Sequence, residues 1–223
     1  MQSIVIPKQM TNYHPHLNSK GQRVLLAQPD TGTPLSTWLN RDTIATVVPQ
    51  GCVPDVLNGT AFTTWNDVPR SDEGWNNVPG QYLHDEPTFA IPEGKRPAAG
   101  VVIEEADGRI WLVSPSNAFG GYKTTLPKGG VDVGVSLQAC AIREAFEEAG
   151  LKVHITGWLA DSNRCRSYTR YYRAIRTGGT PTDMGWESQS VHLVPRSALH
   201  MFLTHPNDLP LLQAILQATV DNP

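Results

Sequence analysis

Cysteine is scarce in this chain, with three among 223 residues, at Cys52, Cys140 and Cys165. Odd in number and widely spaced, they fit neither a disulfide framework nor a zinc-ligand spacing, and they read as thiols in a reducing compartment. Charge is sparse as well. Charged residues make up 17% of the chain and the formal net charge is −3, which gives no ground for expecting sequence-independent binding to nucleic acid. No run approaches the ~18–20 apolar residues that a membrane-spanning helix needs. The opening stretch, "MQSIVIPKQMTNYHPHLNSK", has no basic region followed by an apolar one, so no secretory leader is expected. These absences leave a cytoplasmic location as the expectation, with neither membrane nor nucleic acid as partner.

Glycine and proline, by contrast, are plentiful, at 19 and 18 residues, and imply many turns and irregular connections. Their distribution divides the chain. Residues 1–95 are rich in Pro, Asn, Thr and Trp and show weak periodicity, reading as an irregular extension. It holds a short echo, "TWNDVP" (64–69) and "GWNNVP" (74–79), read as two turn-and-strand units whose Trp65 and Trp75 pack on a neighbouring surface. Such an extension would serve as a lid, a homodimerisation element or a partner-binding surface. Residues 96–223 form the second unit. Here Ala98–Glu105 and Arg109–Ser114 read as strands joined by a hairpin at Asp107-Gly108. "YKTTLP" (122–127), "LKVHITGWLA", "RSYTRYYRAIR" and "SVHLVP" (190–195) read as further strands. Ser136 is a suitable N-cap for a helix over Leu137–Ala149, which Gly150 stops. Pro195 and Ser197 open a short helix. "DLPLLQAILQAT" (208–219) is amphipathic, with Leu209, Leu212, Ile215 and Leu216 along one face. Strands interleaved with helices predict an α/β sandwich.

The helix at 137–149 carries the chemistry. Glu144, Glu147 and Glu148 stand at i, i+3 and i+4, so all three carboxylates project from one face. Arg143, four residues before Glu147, can pair with one of them but cannot neutralise three. A divalent cation can, and a hard ion such as Mg²⁺ prefers carboxylate oxygens and often completes its shell with substrate phosphates. The preceding "KGGVDVG" (128–134) lets backbone approach an ion or phosphate where side chains would obstruct.

With that glycine loop at its fixed distance, "GGVDVGVSLQACAIREAFEEAGL" (129–151) resembles the Nudix box, G-x5-E-x7-R-E-U-x-E-E-x-G-U. Gly129 matches the first glycine, Arg143 and Glu144 the RE pair, Glu147 and Glu148 the EE pair, and Gly150-Leu151 the end. Ala145 is a small occupant of the first apolar position. Val135 departs from the pattern, standing where the box has its first glutamate. The resemblance implies a Nudix-type α/β/α sandwich with a mixed sheet, preceded by the Pro/Trp-rich extension. It implies Glu144, Glu147, Glu148 and the Gly129 carbonyl as ligands of Mg²⁺ or Mn²⁺, with Arg143 in support. The activity implied is hydrolysis of a phosphoanhydride in a nucleoside diphosphate-linked compound, either a dinucleoside polyphosphate or an ADP-ribose-like molecule. A general base must take a proton from water, and Glu147 or Glu148 would serve. Glu187 is another choice, in the loop where some relatives carry a catalytic glutamate.

For substrate binding the expectation falls on Lys128, which resembles the lysine of a "PKG" stretch in enzymes acting on dinucleoside and diphosphoinositol polyphosphates. It falls also on "RCRSYTRYYRAIR" (164–176), with five arginines and three tyrosines. Strand alternation would place Arg164, Arg166, Tyr168, Arg170 and Tyr172 on one face, away from Tyr171 and Arg173, offering guanidinium and ring surfaces to a polyphosphate. Two rivals remain at this stage. Lys128 and the arginines suit a diphosphoinositol polyphosphate, and Val135 suits a silent nucleotide-binding or regulatory module.

Overall fold

The computed structural model describes residues 12–27, 29, 31–116 and 121–218. Met1–Thr11, which open the stretch read for a leader, and Thr219, the predicted end of the last helix, lie outside them. The elements run α1 (Leu35–Leu39), β1 (Ala45–Val47), β2 (Val56–Leu57), β3 (Thr60–Ala61), α2 (Asp72–Asn76), β4 (Arg96–Glu104), β5 (Ile110–Pro115) and β6 (Lys128–Gly130). They continue with α3 (Leu137–Ala149), β7 (Leu151–Asn163), β8 (Ser167–Gly179), β9 (Ser188–Val194), α4 (Leu199–Phe202) and α5 (Leu209–Gln217).

A mixed sheet in the order β1-β9-β5-β4-β8-β7, with β6 added beside β4, forms the middle layer. Strand β4 runs parallel to β8, and the other pairings are antiparallel. One face of the sheet packs on α3 through Ala139, Ile142, Ala145 and Ala149, against Val101, Ile103, Val153 and Tyr172. The other packs on α4 and α5 through Leu199, Leu211, Leu212 and Ile215, against Val102, Leu112 and Tyr171. The result is the expected α/β/α sandwich. Among the described residues no helix is long and apolar enough to cross a membrane.

Local signals governed α3. Ser136 accepts a hydrogen bond from the Ala139 amide at 3.1 Å, and Gly150 closes the helix at φ +68°, a left-handed conformation that suits glycine. The β4–β5 turn likewise uses Gly108, at φ +86°. Two expectations shift. Residues 122–127 make only an isolated bridge, Thr125 to Val113, and the strand forms instead at Lys128–Gly130, where the glycines pair closely with Ala98–Gly100. In α5 the buried residues are Leu211, Leu212 and Ile215, while Leu209 and Leu216 are exposed, because the stripe that meets the sheet is centred on Leu211, Leu212 and Ile215 rather than running through Leu209 and Leu216.

The segment before residue 96 is built into the sandwich. Strand β1 extends the sheet by pairing with β9. Two buried arginines hold neighbouring pieces through backbone carbonyls. Arg109 donates to Trp38 O at 2.6 Å and Thr37 O at 3.1 Å, and Arg176 donates to Leu57 O at 3.0 Å. The two tryptophans of the echo meet edge to face at 5.9 Å, and Trp65 also packs on Phe146 of α3 at 5.4 Å. The second copy of the echo forms helix α2 rather than a strand, since Ser71 caps it and Asp72 and Glu73 suit its N-terminus.

Candidate functional site

The acidic face of α3 turns toward the β6 loop. Glu144 and Glu148 are buried and Glu147 is exposed. The Glu144 carboxylate lies directly over Gly129, in the space that a Cβ at this position would take. Any side chain there would push the acid aside. The Glu148 carboxylate accepts a hydrogen bond from the Lys128 amide at 2.9 Å. Arg143 serves the loop more than its helix. It meets Asp132 at 2.8 Å and the Gly130 carbonyl at 3.5 Å, and reaches Glu147 only at 4.0 Å.

Crowded, desolvated carboxylates hold protons tightly. Burial first, then the charges of Glu148 and Glu147, drives the Glu144 carboxyl well above the ordinary range, with Arg143 opposing. Glu148 is pushed up to about 7, chiefly by burial, although the Lys128 charge and amide pull the other way. Burial also raises Glu147. The Glu187 charge falls on all three, which places this exposed acid beside the cluster. Among the described residues, however, no three His, Cys, Asp or Glu side chains already form a metal cluster. The expected trio is a face rather than a finished cage, since each acid leans on a different partner: Glu144 on Gly129, Glu147 toward Arg143, and Glu148 on the Lys128 amide. The donor set nevertheless suits a hard divalent ion, because two buried carboxylates at one spot need positive charge to stay ionised.

Val135, in the place of the box's first acid, is buried in the same hydrophobic cluster as Trp75 and Val78. Asn76 fastens the chain on either side of it, donating to the Gly134 carbonyl at 2.7 Å and accepting from the Ser136 amide at 2.9 Å. The position of the box's first acid is here buried among apolar residues that include part of the N-terminal segment.

The substrate-binding expectations divide. Lys128 Nζ lies 5.6 Å from the centre of the Tyr122 ring, and the Arg164 guanidinium lies 5.1 Å from the same centre. Arg164 is buried, is held by Asp208 at 2.6 Å, and also sits 5.4 Å from the Tyr171 ring. Its Nε and Nη1 are buried without a partner, as is the Tyr171 hydroxyl. Arg164 therefore joins Lys128 rather than Arg170. Residues 164–166 form the turn between β7 and β8, so the alternation begins only at Ser167, and Arg166 is exposed in that turn.

Tyr168, Arg170 and Tyr172 do share a face, but the chain itself covers it. Arg170 donates to Asp161 through two bonds of 2.8 Å and to Glu86 at 2.9 Å. Tyr172 donates to Glu86 at 2.9 Å, and Tyr168 stacks on Phe89 at 5.2 Å. That face is a seam for residues 86–89, and Arg170 is a structural cation there. Sequence reasoning missed Tyr122, Tyr171 and Asp208, which are brought together only by the fold. It also missed Asp132, whose position in the glycine loop was a usable signal for an Arg143 partner.

A match to the NUDIX domain family spans residues 94–215. Similar proteins include an RNA pyrophosphohydrolase of Aeromonas hydrophila, 32% identical over 94 residues, covering 42% of this chain and 51% of that protein. Another, from Caulobacter vibrioides, is 43% identical over 56 residues, covering 25% of this chain and 33% of that protein. The chain thus spans about half the length, or less, of these curated relatives. Similar solved structures include an ADP-ribose pyrophosphatase of Streptococcus suis, at 22% identity and TM-score 0.48, covering 57% of this chain and 94% of that one. An Ap4A hydrolase of C. elegans matches at 18% identity and TM-score 0.46, covering 55% and 96%.

Proposed function

This chain belongs to the NUDIX domain family, and on that premise we propose that it hydrolyses a phosphoanhydride in a nucleoside diphosphate-linked substrate, assisted by a divalent cation. The observation that carries the reading is the pair of buried carboxylates, Glu144 over Gly129 and Glu148 on the Lys128 amide, with Arg143 and Lys128 offsetting their charge. Glu144 and Glu148, with Glu147 and the Gly129 carbonyl, would hold Mg²⁺ or Mn²⁺. A bound ion of that kind neutralises phosphate oxygens and acidifies a coordinated water.

The rest falls to the chain's own groups. Lys128 and Arg164, both near the Tyr122 ring, orient the phosphates by charge and hydrogen bonds. A carboxylate accepts the proton of the attacking water. Glu187 suits this role because it is exposed beside the cluster, whereas Glu148 is already held by the Lys128 amide. A new bond forms from the water oxygen to phosphorus, the bond to the bridging oxygen breaks, and two phosphate-ended products leave. Dinucleoside polyphosphates and ADP-ribose-like compounds remain the favoured substrates. The name of these relatives, RNA pyrophosphohydrolase, adds RNA to the set.

A panel of these substrates and a diphosphoinositol polyphosphate, assayed with Mg²⁺ or Mn²⁺ and analysed for products, tests the reading. Release of a phosphate-ended product by wild type, and its loss in Glu148→Gln, supports hydrolysis. Equal inertness of both proteins, with tight nucleotide binding, would establish a silent module instead.

A further inference from the structure

The loop that carries Glu187 is fastened at three points, and the fastening leads to the N-terminal segment. Gly185 N donates to the Glu147 carbonyl at 2.7 Å, tying the loop to the end of the acidic helix face. Ser116, just after β5, takes the loop from the other side. Its amide donates to the Glu187 carbonyl at 2.6 Å, and its hydroxyl donates to the Trp186 carbonyl at 2.7 Å. The Ser116 hydroxyl in turn accepts from Gln189 Nε2 at 3.1 Å. Gln189 reaches further, donating to Leu25 O at 3.0 Å and accepting from Ala27 N at 2.7 Å.

Both Ser116 and Gln189 are buried, with 7% and 5% of their surface exposed, so neither meets a substrate. The backbone of residues 25–27 has two of its polar groups satisfied by one amide, and the same amide completes the hydroxyl that grips the Glu187 loop. Hydrogen bonds in such a chain polarise and orient one another. An exposed acid on a loop has many rotamers and backbone states open to it, and misplacement of a reacting group by about 1 Å costs on the order of 10²-fold in rate.

We propose that Gln189 and Ser116 are positioning residues that hold Glu187 against the box carboxylates, and that the N-terminal segment at Leu25–Ala27 is the outer anchor of this clamp. The inference rests on the hydrolytic reading and gives residues before the family domain a part in the chemistry. It also accounts for why Glu187 can act from an exposed loop.

The test is a double-mutant cycle on the full chain, with Gln189→Ala and Ser116→Ala each made alone and in a Glu187→Gln background. Each single variant is expected to lower kcat about tenfold with KM within twofold, and to add nothing once Glu187 is Gln. Ser116→Thr, which keeps the hydroxyl, is expected to recover most of the rate. Melting temperatures taken alongside identify any variant whose loss is merely unfolding, and Gln189→Ala serves if Ser116→Ala does not fold. Equal losses in both backgrounds, a loss carried by KM, or full activity in Glu187→Gln would each overturn the clamp while leaving hydrolysis intact. Inertness of wild type across the whole panel would instead remove the hydrolytic reading itself.

Discussion

Replacing Val135 by glutamate restores the acid that the box pattern has at that place, and the structure sets the expected result. Val135 is 7% exposed and shares its cluster with Trp75 and Val78. Removing its buried surface costs about 1.5–3 kcal/mol. The new carboxyl then has three outcomes, all unfavourable. It can stay in place ionised, at a cost of several kcal/mol (roughly) before any compensation. It can stay in place protonated, which costs less below its ordinary pKa and more as pH rises. Or the loop can swing out, breaking the two Asn76 hydrogen bonds, worth about 0.5–1.5 kcal/mol each.

The cheapest combination comes to about 3–5 kcal/mol, or roughly 10 °C in melting temperature for a chain of this size. A buried glutamate has a raised folded pKa, so its penalty is absent below the ordinary value of about 4.3 and grows above it. The deficit relative to wild type should therefore be larger at pH 8 than at pH 4. Thermal melts at both pH values, with initial rates at a temperature where both proteins are folded, provide the assay. A variant as stable as wild type and tenfold or more faster would refute the reasoning, because it would show an open position with a missing ligand.

Three further outcomes follow from the same geometry. Because Glu148 rises to about 7 and Glu144 also rises, the chain without divalent ions should lose stability as pH climbs from about 4.5 through 7, by up to roughly 1.4 kcal/mol per pH unit for each group. Melts with and without Mg²⁺ should show a larger stabilisation by the ion at pH 8 than at pH 5, and equal stabilisation at both would count against the carboxylate site. Arg170→Ala strands Asp161 and Glu86 and should cost about 3–5 kcal/mol, with little change in activity per folded molecule; a raised KM without destabilisation would return Arg170 to the substrate. Lys128→Ala should raise KM about tenfold while moving the melting temperature by no more than ~2 °C, and an unchanged KM would remove Lys128 from phosphate binding.

What the sequence made legible was local. The cap at Ser136, the stop at Gly150 and the spacing of three acids depend on neighbours within a turn or two, and the structure has all of them. Arg164 and Arg166 were grouped with Tyr168, Arg170 and Tyr172 because alternation was counted through a turn that occupies 164–166. Strand β6 was placed too early because two glycines with little strand propensity pair there for reasons set by β4. Residues before 96 looked separate because their attachments, the β1–β9 pairing and the arginine and tryptophan contacts, join residues far apart in sequence. Such contacts leave no periodic trace.

Gly129 and Glu144 also set a constraint on any re-engineering of the loop. Even alanine at 129 would collide with the carboxylate and force it to rotate, so any side chain introduced here displaces Glu144 from its place. Cutting the chain at 95 meets a similar barrier. Arg109 and Arg176 would lose the carbonyls that accept their hydrogen bonds and keep only partners within the remaining chain, Asp107 and Glu105 among them. A relative without the leading segment has no such carbonyls for an arginine to hold at either place, which makes these two positions a readable marker of this architecture.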